Sequence, residues 1–444
     1  MFLSSQKLYS ILCPYMQYII LIKHTQYYKM NNSKNINIES KFNKKIKNLL
    51  IVNLHFWPDK SSCSAILFHI AKELSFEIKK VDIVTSRPKR FGSNFSKSEL
   101  NEIDNSTDLR IFRLSLLKEN LSALPRILNA IYLGSYAFIK ILFSDYQIVI
   151  ATSSPPILSA FLISIATKIK KIRFIYYCMD INPEIGILSG DFKNNFIKNI
   201  MFALEKFTCF NSNPIIVHSS SMQRTLENRY LNKKLNIKIV NSLSVPRFKN
   251  NLTNTNSFYR HNENGLRIIY AGNIGRFQGL ENIIYTFKLL VDYKDIELIF
   301  LGEGVEKSKL KALSKKFQTN IKFKGYTSYD EAKSIISKSD LGLISLIPNM
   351  HKLAYPSKTM SYLEQAIPIL ALIEEESDLA QTIIKNKIGF VSDIYNHQNL
   401  ADLLIKLSIN QSWKVDLKKS CFETFHNEFS ETIILDKWRD IIYS

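Results

Sequence analysis

From Asn48 onward, short continuous apolar runs alternate with stretches whose apolar residues recur every three or four positions. NLLIVNL (48–54) predicts a strand, FWPDKSSCS a loop, and AILFHIAKEL a helix, which together make one βα unit. KVDIVT (80–85), Asp108 to Leu114, YQIVIATSSPP, RFIYYCMD and PIIVHSS predict further strands, with helices such as ILSAFLISIATKIKK between them. Strands buried on both faces of a parallel sheet read as unbroken apolar runs, and these do. An Asn-rich polar stretch, RFKNNLTNTNSFYRHNENG (247–265), interrupts the alternation and reads as a linker.

A second series then begins. LRIIYAG, IELIFLG, IKFKGY, DLGLISL, PILALI and GFVS predict strands, separated by helical patterns in GLENIIYTFKLL, EKSKLKALSKKF, DEAKSIISKS, SKTMSYLEQ and LAQTIIKN. The economical architecture is α/β, two doubly wound Rossmann-like domains facing across a cleft, with ligands beyond the carboxyl ends of the strands. Ahead of both series, residues 8–23 are apolar but shorter than a spanning helix and are broken by Pro14 and Gln17. Residues 1–46 read as a poorly structured extension upstream of a start at Met30, with an interfacial anchor and a weak signal-like segment as the other two readings.

Charge changes the picture only in part. The 59 Lys+Arg against 39 Asp+Glu give a net +20, which favours anionic partners. Gly is scarce, at 13, while Lys, Asn and Ile abound, so part of the excess follows the composition as a whole. Cysteines 13, 63, 178, 209 and 421 form no CxxC pair and read as reduced thiols in a cytoplasmic protein. His55, His69, His218 and His351 show no metal-ligand spacing, which predicts no metal site. No signature of a nucleic-acid-binding module is present.

Two loops in the second half carry candidate chemistry. In YAGNIGRFQGLE a strand ends in a loop containing Gly272, Gly275 and Gly279, with Arg276 inside it, before a helix begins. Such a loop brings backbone N–H groups close to an anion, and a structural tight turn explains the same glycines. In YPSKTMSYLEQAIPIL, Pro356 and Ser357 start a helix and put Lys358 in its first turn, where a cation is unfavourable unless an anion is bound. One pyrophosphate would meet both Arg276 and Lys358. In the first half, PDKSSCS (58–64) is a loop of small residues, and MDINPE sets Asp180 and Glu184 after a strand. There they serve as acid, base or substrate contact, or as a turn former and a surface charge.

FWPDKSSCS, ATSSPP, MDINPEIGILSG, VHSSSM, YAGNIGRFQG, FLGEG and PSKTMSYLEQAIPIL, in this order and spacing, resemble bacterial glycosyltransferase family 4, of fold type GT-B. The resemblance is to the branch that builds O-antigens, capsules and exopolysaccharides, including L-fucosamine transferases, and it runs from residue 47 to the C-terminus. It implies a retaining, metal-free transfer of a sugar from a nucleotide-sugar donor to a saccharide acceptor carried on a lipid at the cytoplasmic membrane face. Residues 47–246 would then bind the acceptor and 266–428 the nucleotide sugar, with 429–444 a helix returning to the first domain. On the donor side the resemblance points to Gly272, Asn273, Gly275, Arg276, Gln278, Ser357 and Lys358 around the diphosphate. It points to Gly302, Glu303, Gly304, Gly325 and Tyr326 around the base. Pro58, Asp59, Ser61 and Ser64, with Asp180 and Glu184, fall on the acceptor side.

The chain departs from the family at several positions. Two glutamates that many relatives carry eight positions apart correspond to Leu353 and Ser361, with Glu364 three residues on. The usual Arg and Lys of the glycine loop correspond to Asn273 and Gln278. Two other readings compete with a transferase: a nucleotide-sugar epimerase or hydrolase on the same fold, and a basic scaffold for membrane or nucleic acid. LSALPRILNAIYLGSYAFIKILF (121–143) suits a lipid-carrier surface and tells against the first, although a buried helix accounts for the same pattern.

Overall fold

The computed structural model describes residues 46–444, apart from 60, 89–94, 108, 119–122, 191–193, 232 and 245–264. The expected extension (1–46) and linker (247–265) therefore lie outside the described residues, save for Ile46 and Gly265.

Seven strands form the first sheet: β1 (Asn48–Val52), β2 (Lys80–Ser86), β3 (Arg110–Leu114), β4 (Ile148–Thr152), β5 (Arg173–Tyr177), β6 (Ile215–Val217) and β7 (Ile237–Ile239). Six form the second: β8 (Leu266–Ala271), β9 (Ile296–Leu301), β10 (Ile321–Lys324), β11 (Leu341–Ser345), β12 (Ile369–Leu372) and β13 (Gly389–Ser392). The spatial orders are β3-β2-β1-β4-β5-β6-β7 and β10-β9-β8-β11-β12-β13. All pairings are parallel, in the first sheet and in the second. Each sheet thus reverses direction beside its first strand, at β1/β4 and at β8/β11, which is where doubly wound sheets open a crevice for ligands.

The apolar runs became buried strands for the anticipated reason: every residue of β4 and of β11 is buried. The strand predicted over 48–54 stops at Val52, because the Asn53 side chain turns into a polar network, accepting from Thr152 Oγ1 at 2.6 Å. The edge strand β7 went unpredicted: it is only Ile-Lys-Ile, and two of its three residues face water.

Residues 121–143 resolve into the helix Ala123–Leu142, which is buried on one side and bare on the other. Ala130, Leu133, Ala137 and Ile141 pack inward, while Leu124, Ile127, Leu128, Ile131 and Tyr132 form an exposed stripe. A Cβ at Gly134 would come within 2.9 Å of the Ser159 backbone, so glycine lets this helix lie tight against Leu158–Lys170. The last helix, Glu431–Tyr443, packs on the first half of the molecule. Trp438, 1% exposed, meets the Tyr177 ring edge-on at 5.1 Å, and Arg173 donates to the Ile441 and Ile442 carbonyls at 2.7 and 3.0 Å. Arg439 pairs with Glu77 at 2.7 Å.

Candidate functional site

The second half builds its site from loops at the carboxyl ends of β8, β9 and β11. Gly272 follows β8 with φ +134°, a backbone region that side-chain-bearing residues avoid. A Cβ there would lie 2.8 Å from Lys358 Cε. The Lys358 side chain therefore lies across the Gly272 backbone, with Nζ 4.7 Å from the centre of the Tyr270 ring. Burial pushes this ammonium down to about 8, and no carboxylate among the described residues pairs with it. Desolvating a cation and leaving it unpaired is costly, and an incoming anion removes that cost.

Gly302 and Gly304 follow β9 and serve close backbone contact. A Cβ at either would come within 2.1 Å of a carbonyl oxygen, that of Gly272 or of Ile274. Gly272 N–H donates to Leu301 O at 2.8 Å and Ile274 N–H to Glu303 O at 2.9 Å, so the two loops are laced together. Glu303 pairs with Lys307 at 2.6 Å and borders Gly325, and Tyr326 beside it is exposed. Gln278 Oε1 accepts from the Gly275 N–H at 3.0 Å, and the Asn273 amide lies against the same glycine, so both brace the loop. Arg276 reaches outward, its side chain 66% exposed and 3.8 Å from Glu306. Ser357 precedes the helix Lys358–Glu364 and Ser361 lies one turn on, both partly buried. Glu364 is tied down by Lys333 at 2.6 Å and by Ser244 at 2.5 Å.

The first half contributes the loops after β1, β4 and β5. Pro58 and Asp59 are buried, and Asp59 Oδ2 lies 2.9 Å from His55 Nδ1. Ser61 caps the helix Ser62–Ser75 by accepting from the Ser64 N–H at 3.2 Å, and the two hydroxyls are 2.5 Å apart. Cys63 Sγ reaches Met179 Sδ at 3.4 Å, joining this loop to MDINPE. Ser153 Oγ, after β4, accepts from the Met179 and Asp180 N–H groups at 3.1 Å each. Asp180 keeps an exposed edge, while the protein crowded around it pushes its carboxyl up to about 6. Glu184 is held by Arg229 at 2.5 Å, so its charge is already compensated.

The two halves meet at these loops. Asp180 forms an antiparallel bridge with Ala354, and Ile181 N–H donates to Leu353 O at 2.8 Å. Leu353 thus lies in the seam itself. Asp378 accepts from Ser220 Oγ at 2.6 Å and from the Ser221 N–H at 2.9 Å, which carries a carboxylate of the second half onto a helix of the first. Sequence reading passed over Ser153, Arg229, Lys333 and Asp378, whose partners are distant in the chain. His55 did carry a local signal, its spacing of four from Asp59.

Among the described residues, one group of ligand-type side chains, His69, Glu73 and Glu431, gathers within 4.8 Å. It lies between the helix Ser62–Ser75 and the last helix, away from the Lys358 loop.

Comparison with known proteins agrees with this architecture. Residues 253–422 match the family model described as glycosyl transferases group 1. A stretch of 123 residues is 29% identical to the probable glycosyltransferase WbjE of Pseudomonas aeruginosa, spanning 27% of this chain and 30% of that protein. The chain thus spans under a third of the length of this curated relative. Anabaena Alr3699/HepE, solved with UDP and glucose, superposes with a TM-score of 0.64 at 12% identity, over 90% of this chain and 100% of the other. Sucrose-phosphate synthase from Thermosynechococcus elongatus gives 0.65 at 14% identity, covering 89% and 98%. WaaG, a glycosyltransferase involved in lipopolysaccharide biosynthesis, gives 0.63 at 12%, covering 89% and 99%. The fold is GT-B, two Rossmann-like domains, and the match to the glycosyl transferases group 1 model falls largely on the second.

Proposed function

We propose that this protein is a retaining glycosyltransferase that moves a hexosyl or deoxyaminohexosyl group from a nucleotide sugar to a lipid-linked saccharide in surface polysaccharide assembly. The observation that carries the reading is Lys358, a partly buried cation laid across Gly272 with no carboxylate partner among the described residues. Departure of a nucleoside diphosphate concentrates negative charge, and a preorganised ammonium beside exposed backbone stabilises it without reorganising. Arg276, exposed at the rim, adds a second cation. The UDP bound in HepE supports a nucleotide donor. Asp180, which bridges to Ala354 across the seam, meets the acceptor or the reacting sugar.

The bare stripe on Ala123–Leu142 suits a protein that works at the cytoplasmic face of a membrane. No helix among the described residues is long and apolar enough to cross one.

The test is a screen of UDP-, GDP- and dTDP-sugars for thermal stabilisation, repeated with Lys358→Ala. A ligand that binds only the folded state raises its stability. One class should stabilise the wild type and lose most of its effect in the variant; no stabilisation by any class would overturn the reading. Transfer should also survive excess EDTA, because no metal is assigned to the diphosphate. Loss of activity reversed by Mg²⁺ or Mn²⁺ would remove the metal-free mechanism.

A further inference from the structure

One helix of the first half, Ser220–Arg229, joins three segments of the seam. Asp378 of the second half grips its start, through Ser220 Oγ and the Ser221 N–H, with Arg224 3.6 Å from the same carboxylate. In its middle, Thr225 Oγ1 donates to Lys352 O at 3.0 Å. Lys352 stands two residues before Ala354, the bridge partner of Asp180, and six before Lys358. At its end, Arg229 turns back to the loop after β5, where Nη1 donates to Asn182 O at 3.1 Å and Nη2 to Glu184 Oε2 at 2.5 Å. Asn182 in turn donates from Nδ2 to Asp180 O at 3.2 Å. Two chains of contact, Arg229 to Asn182 to Asp180 and Thr225 to Lys352 to Ala354, therefore start on one helix and converge on the two residues of one bridge. Burying a guanidinium is costly, and the Arg229 side chain is only 10% exposed. If it only filled space, an apolar side chain would serve better. Its planar fork instead meets a carbonyl and a carboxylate of the same loop at once, a geometry that an ammonium does not reproduce.

We infer that Arg229 and Thr225 are positioning residues for transfer, holding the Asp180 loop in fixed register against the loop that leads into Lys358. The inference rests on the transferase reading. Neither side chain meets the reacting groups: Arg229 acts through Asn182 on Asp180, and Thr225 through Lys352 on Ala354. With both contacts made, the acceptor at Asp180 and the sugar beside the diphosphate face each other at one separation, and water is kept from the acceptor's place. Loosening either contact lets the two loops shift while each half keeps its own fold. The donor then still binds, but water more often takes the sugar in place of the acceptor, giving up a proton and leaving free sugar and nucleoside diphosphate.

The test uses the full chain, the nucleotide sugar that stabilises it best, and polyprenyl-diphosphate-linked N-acetylglucosamine in phospholipid vesicles as acceptor. Transfer and donor hydrolysis are measured in the same reaction, so their ratio does not depend on the folded fraction. Arg229→Lys keeps a charge beside Glu184 and loses the fork; Thr225→Val keeps the shape and loses the hydrogen bond to Lys352 O. Arg229→Lys should lower the ratio of transfer to hydrolysis by about 10- to 100-fold, with donor-induced thermal stabilisation close to wild type. Thr225→Val, which gives up one hydrogen bond, should lower it by about fivefold. Should Arg229→Lys fail to fold, Asn182→Ala breaks the same chain of contact one link on and should lower the ratio in the same way. A ratio equal to wild type in either variant would overturn the inference for that residue. So would equal losses of transfer and hydrolysis, which would make the residue one of general stability. A wild-type protein that binds the donor but transfers to no acceptor would overturn the transferase reading itself.

Discussion

Lys358 is held where its charge depends on pH within an accessible range. Burial lowers its pKa from the usual lysine value to about 8, which leaves the free protein cationic below pH 8 and progressively neutral above it. A bound diphosphate favours the charged form, so donor affinity should be greatest below pH 8 and weaken as pH rises through it. Lys358→Arg should flatten that decline, because a guanidinium stays protonated throughout. Donor dissociation constants at pH 7 and 9.5 for both proteins check this. Lys358→Ala should cost about 2–4 kcal/mol in kcat/KM, as loss of a preorganised charge stabiliser does. Arg276→Ala should cost less in donor affinity, its side chain being 66% exposed and loosely paired. The sequence showed Lys358 and the glycine loop because a cation in a first helical turn and glycines after a strand are local anomalies. Glu364 and Glu184 looked free in the sequence; their partners Lys333 and Arg229 lie 31 and 45 positions away, and no local pattern joins them.

Among the elements, the helix Ala123–Leu142 best shows how far hydrophobic periodicity reaches. Its spacing announced a helix, but an inward and an outward apolar face look alike in sequence. The structure assigns Leu133, Ala137 and Ile141 to the core and leaves Leu124, Ile127, Leu128, Ile131 and Tyr132 in water. Large exposed apolar patches mark interaction surfaces. The protein should therefore float with anionic liposomes at low salt, and high salt should weaken the part of the attraction due to Lys and Arg. Ile127→Asp with Ile131→Asp should reduce flotation and leave the melting temperature within a few degrees, since neither residue belongs to the core. Flotation unchanged in that variant would place the membrane contact elsewhere.

On the scale of the whole molecule, the paired sheets were legible because their central strands, such as β1, β4, β11 and β12, are nearly unbroken apolar runs. Their seam was not, because it is made of single polar contacts between distant loops. Asp378 is one: two hydrogen bonds to Ser220 and Ser221 hold its carboxyl below the usual range. Asp378→Ala should loosen the seam, lowering kcat more than donor affinity, because the Lys358 loop is untouched. Steady-state kinetics beside donor titration distinguish this from a general loss of fold. Deleting residues 429–444 should likewise reduce turnover more than donor binding, and Trp438→Ala alone should destabilise the protein by about 3–5 kcal/mol.

The docking of that last helix also bears on how the protein is made. Arg173 and Ile442, joined by a hydrogen bond, are separated by 269 positions, so a ribosome completes the first sheet long before it releases the helix that covers Tyr177. Until then the emerging half presents an uncovered aromatic surface to chaperones and proteases. A polypeptide stalled short of residue 431 lacks the helix that covers Tyr177.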